Sequence, residues 1–199
     1  MLSAAAGRVC TGFSKPYIAP YNVTQGAVTY GTPVELARGV EVSIEPEVTD
    51  DNPFYANNIE AENEEGAFNG ATLTLTVDGL LIDKTALIMG LTAPGTTGDG
   101  IEYIAGASRP YYGTGYIARY LSGGVTSFVP TIIRKTRFNP ISKSAATQEE
   151  QIDYQTEELT ANAYRSDRSD GSWMWEGVEQ ATEADAVTAL LAKFAATQE

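Results

Sequence analysis

The chain predicts a mainly β fold: a β-sandwich or barrel with a short helix packed on it and a second helix at the C-terminus. Three observations carry that expectation. Leu73, Leu75 and Val77 alternate with Thr72, Thr74 and Thr76, the pattern of a strand with one buried and one wet face. Segments 115–121 and 125–138 read as two strands joined at Ser122-Gly123-Gly124, a hairpin signal. Segment 182–195 reads as a helix: Thr182 can cap it, Glu183 and Asp185 sit in its first turn, and Val187, Leu190, Leu191 and Phe194 form an apolar stripe.

Segment 1–14 has small residues, two glycines and no period, so a flexible arm is expected there. A first short strand covers 15–21, with Pro16 and Pro20 confining it to an edge or an end. Val28 and Tyr30 make a brief apolar alternation that stops at Gly31-Thr32-Pro33. In 34–48, Val40, Val42 and Ile44 fall on one face and Glu41, Ser43 and Glu45 on the other.

Segment 49–66 has no strand or helix period and is expected as a long loop. It carries Asp50, Asp51, Glu60, Glu62, Glu64 and Glu65 around Pro53, Phe54, Tyr55 and Ile59. A purely solvating tract needs no aromatic residues, so Phe54 and Tyr55 either fold back onto the domain or, the favoured expectation, anchor the loop on another subunit.

Asp78-Gly79 turns the chain into a short helix over 80–91, with Asp83 as N-cap, Gly90 as stop, and Leu87, Ile88 and Leu91 covering the sheet. A glycine-rich loop fills 93–100, and 101–107 alternates weakly. Segment 149–164 is a further alternating stretch, with Ile152, Tyr154, Thr156 and Glu158 on one face. Asp170-Gly171 is a turn from which 173–178 returns as a strand. The organisation is thus an arm at 1–14, one β domain at 15–180 with its long loop at 49–66, and a helix at 181–199.

The 199 residues suit one domain, and their net charge is −13. A free polyanion of this kind does not hold nucleic acid by neutralising phosphates, though it can lie beside it. The charge is segregated. Between Arg38 and Lys84 stand eleven carboxylates and no basic residue; between Tyr103 and Gln148 stand six basic residues and no carboxylate. Clustered like charges repel, so such blocks point to something outside the fold. The acidic block would face nucleic acid that must not stick, or meet the basic block of a neighbouring copy.

Catalysis is poorly served. There is no histidine, which removes Ser-His-Asp chemistry and the commonest neutral metal ligand. Cys10 is the single cysteine, so no internal disulfide forms. The carboxylates of 60–65 crowd on an expected solvated loop, which gives no environment to push the pKa values of a catalytic pair apart. Asp50, Asp51 and Asn52 lack the spacing of an EF-hand, and Gly95-Thr96-Thr97-Gly98-Asp99-Gly100 lacks the lysine of a phosphate loop. No enzyme, cofactor or metal is expected. Trp173 and Trp175 stand two apart on a strand and would stack a sugar or bury in the core. No stretch approaches the length of a membrane helix, so the chain is expected to be made in the cytoplasm and to stay soluble until it assembles.

Several stretches together resemble the major tail tube protein of long-tailed bacteriophages. They are Val28-Thr29-Tyr30-Gly31-Thr32-Pro33-Val34-Glu35-Leu36-Ala37 followed by Gly39 to Glu47, the loop Asn52-Pro53-Phe54-Tyr55-Ala56-Asn57-Asn58, the strand at 70–77 with a helix ending Leu87-Ile88-Met89-Gly90, and the hairpin from Tyr116 to Phe138. The resemblance runs in order and spacing over 15–177. A longer N-terminal arm and a basic Arg134, Lys135, Arg137 cluster depart from it.

The resemblance implies hexameric rings stacked into a hollow tube that conducts the DNA genome, with a tape measure protein and a tail terminator as further partners. It implies location in the virion tail, and in the host cytoplasm before assembly. Three site expectations come from the charge segregation and the strand faces. Carboxylates line the bore, with strand faces pointing to Glu41, Glu45 and Asp153. The loop residues Asp50, Asp51, Phe54, Tyr55, Glu60, Glu62, Glu64 and Glu65 contact another subunit. The cluster Arg134, Lys135 and Arg137 meets that acidic block between stacked rings, the alternative being that the two blocks neutralise each other within one subunit. The competing expectation is a β-sandwich carbohydrate-binding module or virion adhesin.

Overall fold

A computed structural model describes residues 7–24, 26–56, 58–93, 100–144, 147 and 155–196, with the backbone alone for 54–56 and 59–64. In chain order the elements are β1 (Val9–Thr24), β2 (Ala27–Tyr30), β3 (Val34–Glu35), β4 (Gly39–Val48), β5 (Asn52–Ala56), β6 (Ile59–Glu64), β7 (Phe68–Val77), α1 (Ile82–Met89), β8 (Tyr112–Ser122), β9 (Val125–Phe138), β10 (Glu157–Tyr164), β11 (Met174–Glu176) and α2 (Glu183–Ala195). The fold is mainly β with two helices, one of them C-terminal, as its sequence predicts.

Nine strands form one antiparallel sheet in the order β2-β1-β8-β9-β10-β7-β4, with β3 added on β1 and β11 on β9. The sheet curls until β1 touches β4, where the Phe13 ring packs onto Gly39. Gly123 and Gly124, at φ 56° and 84°, make the tight β8–β9 turn, and glycine takes this left-handed backbone without steric cost.

Apolar side chains fill both sides of the sheet. Inside the curl, Leu73, Leu75, Ile133, Phe138 and Leu159 pack with Ile18, Leu36 and Ile88 of α1. On the outside, Ile117 and Ile132 pack under Ala186, Leu190 and Phe194 of α2. Gly113 and Gly115 let α2 come this close: added Cβ atoms would lie 2.8 Å from the Phe194 ring and 2.9 Å from Leu190. The Thr182 hydroxyl accepts the Asp185 N–H at 3.2 Å and caps α2. In α1 the N-cap is Leu81, without a side-chain cap, and Asp83 instead sits in the first turn, where the helix dipole favours a carboxylate. Gly90, at φ 65°, ends α1.

Five expectations are corrected. The arm at 1–14 is in part a strand: Val9 to Ser14 pair with Leu121 to Ile117, and Arg8 grips Glu176 at 2.6 Å and Glu179 at 3.0 Å. The pairing is imposed by β8, so the small residues of the segment need no period of their own. The loop at 49–66 contains a hairpin, β5–β6, whose bulge between Phe54 and Tyr55 breaks its alternation. Val40 occupies a bulge between Gly39 and Glu41 and is 55% exposed, so only Val42 and Ile44 face the core. Segment 101–107 holds no strand. In 149–164 the strand begins at Glu157, its buried residues are Leu159, Ala161 and Ala163, and Ile152 and Tyr154 lie outside the described residues.

Candidate functional site

The outer face of β9, β10, β7 and β4 is built from three rows of paired residues. Arg137 stands beside Asn162, Asn162 beside Thr72, and Thr72 beside Glu45. The next row is Thr160, Thr74 and Ser43, and the third is Glu158, Thr76 and Glu41. The residues between them, Ala161, Leu73, Leu159 and Leu75, are buried on the opposite side. Strict period-two alternation therefore makes a sheet surface of hydroxyls, amides and carboxylates, bordered by Arg137 on β9, over an apolar core.

Short polar links tie this face together. Asn139 donates from Nδ2 to Thr160 Oγ1 at 3.2 Å, Asn162 donates to Asn139 Oδ1 at 3.5 Å, and the Thr72 hydroxyl donates to Glu47 at 3.4 Å. The face ends at β4, which pairs with β7 alone among the described strands. Beyond Gly39, where Phe13 packs, this edge is unpaired and exposed, carries Glu41, Glu45 and Glu47, and includes Pro46, which has no N–H to offer an incoming strand. Of the expected bore residues, Glu41 and Glu45 thus share one wet face, joined by Glu158, which the sequence reading left aside. Asp153 lies outside the described residues.

The basic cluster is not an exposed patch. The register shift opposite Tyr112 and Thr114 puts an extra residue into β9 between Ile133 and Thr136. Arg134 is only 5% exposed; burial and the neighbouring Arg168 both push its guanidinium pKa down. Its carbonyl accepts the Tyr30 hydroxyl at 3.0 Å. Lys135 donates to Asp167 Oδ2 at 2.6 Å and lies between the rings of Tyr21 and Tyr111, 5.3 and 4.9 Å from their centroids. Arg137 lies 4.3 Å above the Tyr111 ring and donates to its hydroxyl. Cation and aromatic alternate here within one chain, which stabilises each charge by the ring quadrupole. The partner carboxylate is Asp167, held below its usual pKa by the Lys135 hydrogen bond and then by Tyr21. Nothing in the local sequence around Lys135 signals Asp167 or Tyr21, which the fold brings from distant segments.

The acidic block divides in two. Asp51 Oδ1 accepts the Gly66 N–H at 2.9 Å, and Thr49 N–H donates to Ala67 O at 2.9 Å, so the β5–β6 ribbon has a closed neck. Asp50 and Glu65 are exposed beside it. Farther out, the register sets Asn52 opposite Glu64, Phe54 opposite Glu62 and Tyr55 opposite Glu60. The ribbon hydrogen-bonds to no other strand among the described residues.

Trp173 and Trp175 do not make a shared platform. Trp173 stacks on Phe68 at 4.8 Å and 13° against the inner core, while Trp175 packs against the outer core with Lys193 5.3 Å from its ring. Among the described residues no group of three or more Cys, Asp or Glu is placed to hold a metal ion, and no helix is long and apolar enough to cross a membrane. The chain matches no protein-family model and no curated protein.

Proposed function

We propose that this chain is a structural subunit that polymerises as stacked hexameric rings into a tube, the class of the major tail tube protein of long-tailed bacteriophages. One observation carries the reading: the polar, carboxylate-bearing outer face of β9, β10, β7 and β4, which runs uninterrupted to the free β4 edge. Lining a bore with that face suits the passage of DNA. A duplex carries one charge per about 1.7 Å of axis, and a basic wall would hold it through many phosphate contacts. A wall of threonine, serine, asparagine and glutamate, whose cation at the β9 border, Arg137, is held by the Tyr111 ring, repels it weakly and offers little such grip.

In this reading Glu41, Glu45 and Glu158 face the lumen, and the genome passes without specific binding. The subunit turns over no substrate and needs no cofactor. A head-to-tail contact that closes on itself makes a ring, and rings stack through a second surface. A tape measure protein would fill the tube before DNA, a terminator would cap it, and the virion tail would be the final location.

Negative-stain imaging of the purified protein at high concentration tests the proposal. Hollow rings or tubes are expected. A protein that stays monomeric at every concentration and binds sugars on a glycan array would overturn it in favour of a carbohydrate-binding module or adhesin.

A further inference from the structure

The β5–β6 ribbon poses a physical problem. A lone two-stranded hairpin is marginally stable in water at best. This one pairs only with itself among the described strands, yet its sequence holds Phe54, Tyr55 and Ile59 among Glu60, Glu62 and Glu64. Such a ribbon gains its order from a surface that buries apolar groups and balances carboxylates.

The chain displays a surface of that kind. Between the end of α1 and the segment 103–109 lies a cleft of about 420 Å³, lined by Met89, Leu91, Tyr103, Ile104 and Pro140, with Arg109 at its wall. Tyr103 is 51% exposed and Ile104 66% exposed, so the rim of the cleft presents adjacent apolar surface to solvent. Lys143 is exposed and stands with its ammonium 5.5 Å from the Tyr103 ring centroid. The cleft belongs to the basic block of the sequence, and the ribbon to the acidic one.

Geometry favours a contact between copies over one within a copy. The ribbon's neck is at the Val48–Phe68 end of the β4–β7 pair. The chain leaves the other end, Val77, to enter α1. Ten residues of β7 separate those ends by about 30 Å at the rise of a strand.

We propose that the 52–64 ribbon of one copy seats in the α1/103–109 cleft of a second copy, its apolar residues filling the cleft and its glutamates meeting Arg109 and Lys143. The contact joins two different surfaces, so in a head-to-tail arrangement it repeats from copy to copy. The inference rests on the assembly reading above and names the partner surface within it. It replaces the Arg134, Lys135, Arg137 cluster, which is packed inside the chain, as the acceptor of the acidic block.

Two single-cysteine proteins test it. With the native thiol removed by Cys10→Ser, one carries Phe54→Cys and the other Ile104→Cys. Assembled together and oxidised, they are expected to give a disulfide-linked pair on a non-reducing gel, and neither alone should give it. Both cysteines placed in one chain should still link between copies when assembled. Tubes that form from the mixture without the linked pair would overturn this contact and leave the tube reading standing. A link formed within a dilute single chain would also overturn it. Absence of any assembly by the wild-type chain would overturn both. As a second measure, Ile104→Asp and Lys143→Glu alter exposed side chains and should leave the monomer folded. Each is expected to slow tube growth about tenfold at low salt, with the Lys143→Glu defect shrinking as salt is raised. Growth indifferent to both would sink the contact.

Discussion

The ring of Phe13 occupies the space that a side chain on residue 39 would need: a Cβ built on Gly39 would stand 2.1 Å from Phe13 Cε1. Phe13 also meets Tyr116 edge-on at 5.6 Å. This contact closes the curl of the sheet, because it joins β1 to β4 across the whole strand order. It also holds down the segment that the sequence reads as a flexible arm.

Gly39→Ala is therefore expected to destabilise the subunit by about 1–3 kcal/mol through overpacking. In a chain of this size that lowers the melting temperature by a few degrees for each kcal/mol. Adding Phe13→Leu to Gly39→Ala should recover part of the loss, and calorimetry of the single and double variants measures the coupling. An unchanged melting temperature for Gly39→Ala would mean that β1 does not clamp β4.

What the sequence makes legible here is what a single element decides for itself. Leu73, Leu75 and Val77 alternate with threonines because β7 has one wet face, and Thr182 caps α2 because the hydrogen bond is local. Glu41 and Glu45 are placed on the wet face by the same period-two rule. The pairing of Val9 to Ser14 is not legible, since β8 imposes it from more than a hundred residues away. Bulges hide most. The one in β5–β6 disguises a hairpin as a loop, and the one in β9 turns three successive-looking cations into one buried arginine and two ring-stacked ones.

Lys135 and Asp167 should give the fold an acid-sensitive component. The hydrogen bond from Lys135 holds the Asp167 carboxyl below its ordinary pKa. A carboxyl whose folded pKa is depressed contributes stability that is fully present above its unfolded pKa, near 4. That contribution is lost as pH falls through the lower folded value. Asp167→Asn should thus be less stable than wild type at neutral pH and converge with it as pH falls through the lowered folded value. Urea denaturation followed at several pH values between 2 and 7 checks this. A constant difference across the range would show that the ion pair contributes nothing pH-dependent.

Buried phenols set the opposite limit. Burial pushes Tyr30, Tyr112 and Tyr116 up to about 12. A folded pKa above the unfolded value, near 10, gives stability that is fully present below pH 10 and lost as pH rises toward the folded value. Unfolding is expected between about pH 10 and 12, with tyrosinate absorbance and loss of circular dichroism rising together. Tyr112→Phe isolates one member. It removes the 2.6 Å hydrogen bond to Leu87 O and should cost about 1 kcal/mol at neutral pH while shifting the alkaline transition upward. Tyrosinate absorbance that reaches its full extent ahead of any unfolding would mean that these rings are open to water.

The polar face can be made to grip what it is proposed to let pass. Glu41, Glu45 and Glu158 are exposed on that face, and none of them lies in a buried contact. Glu41→Lys, Glu45→Lys and Glu158→Lys together should leave the fold within a few tenths of a kcal/mol of wild type, as surface changes usually do. Each substitution moves the face by two charges, and six copies in a ring would repeat it. A lumen lined this way should retain short duplex DNA, with log affinity falling by about 0.9 per phosphate contact for each decade of salt. Wild-type tubes should retain none. Cryo-electron microscopy of both tubes incubated with duplex shows where the DNA goes. Density along the axis of the variant tube alone places the face in the bore. Density on the outer wall would place it outside, and the lining would have to come from another surface of the subunit.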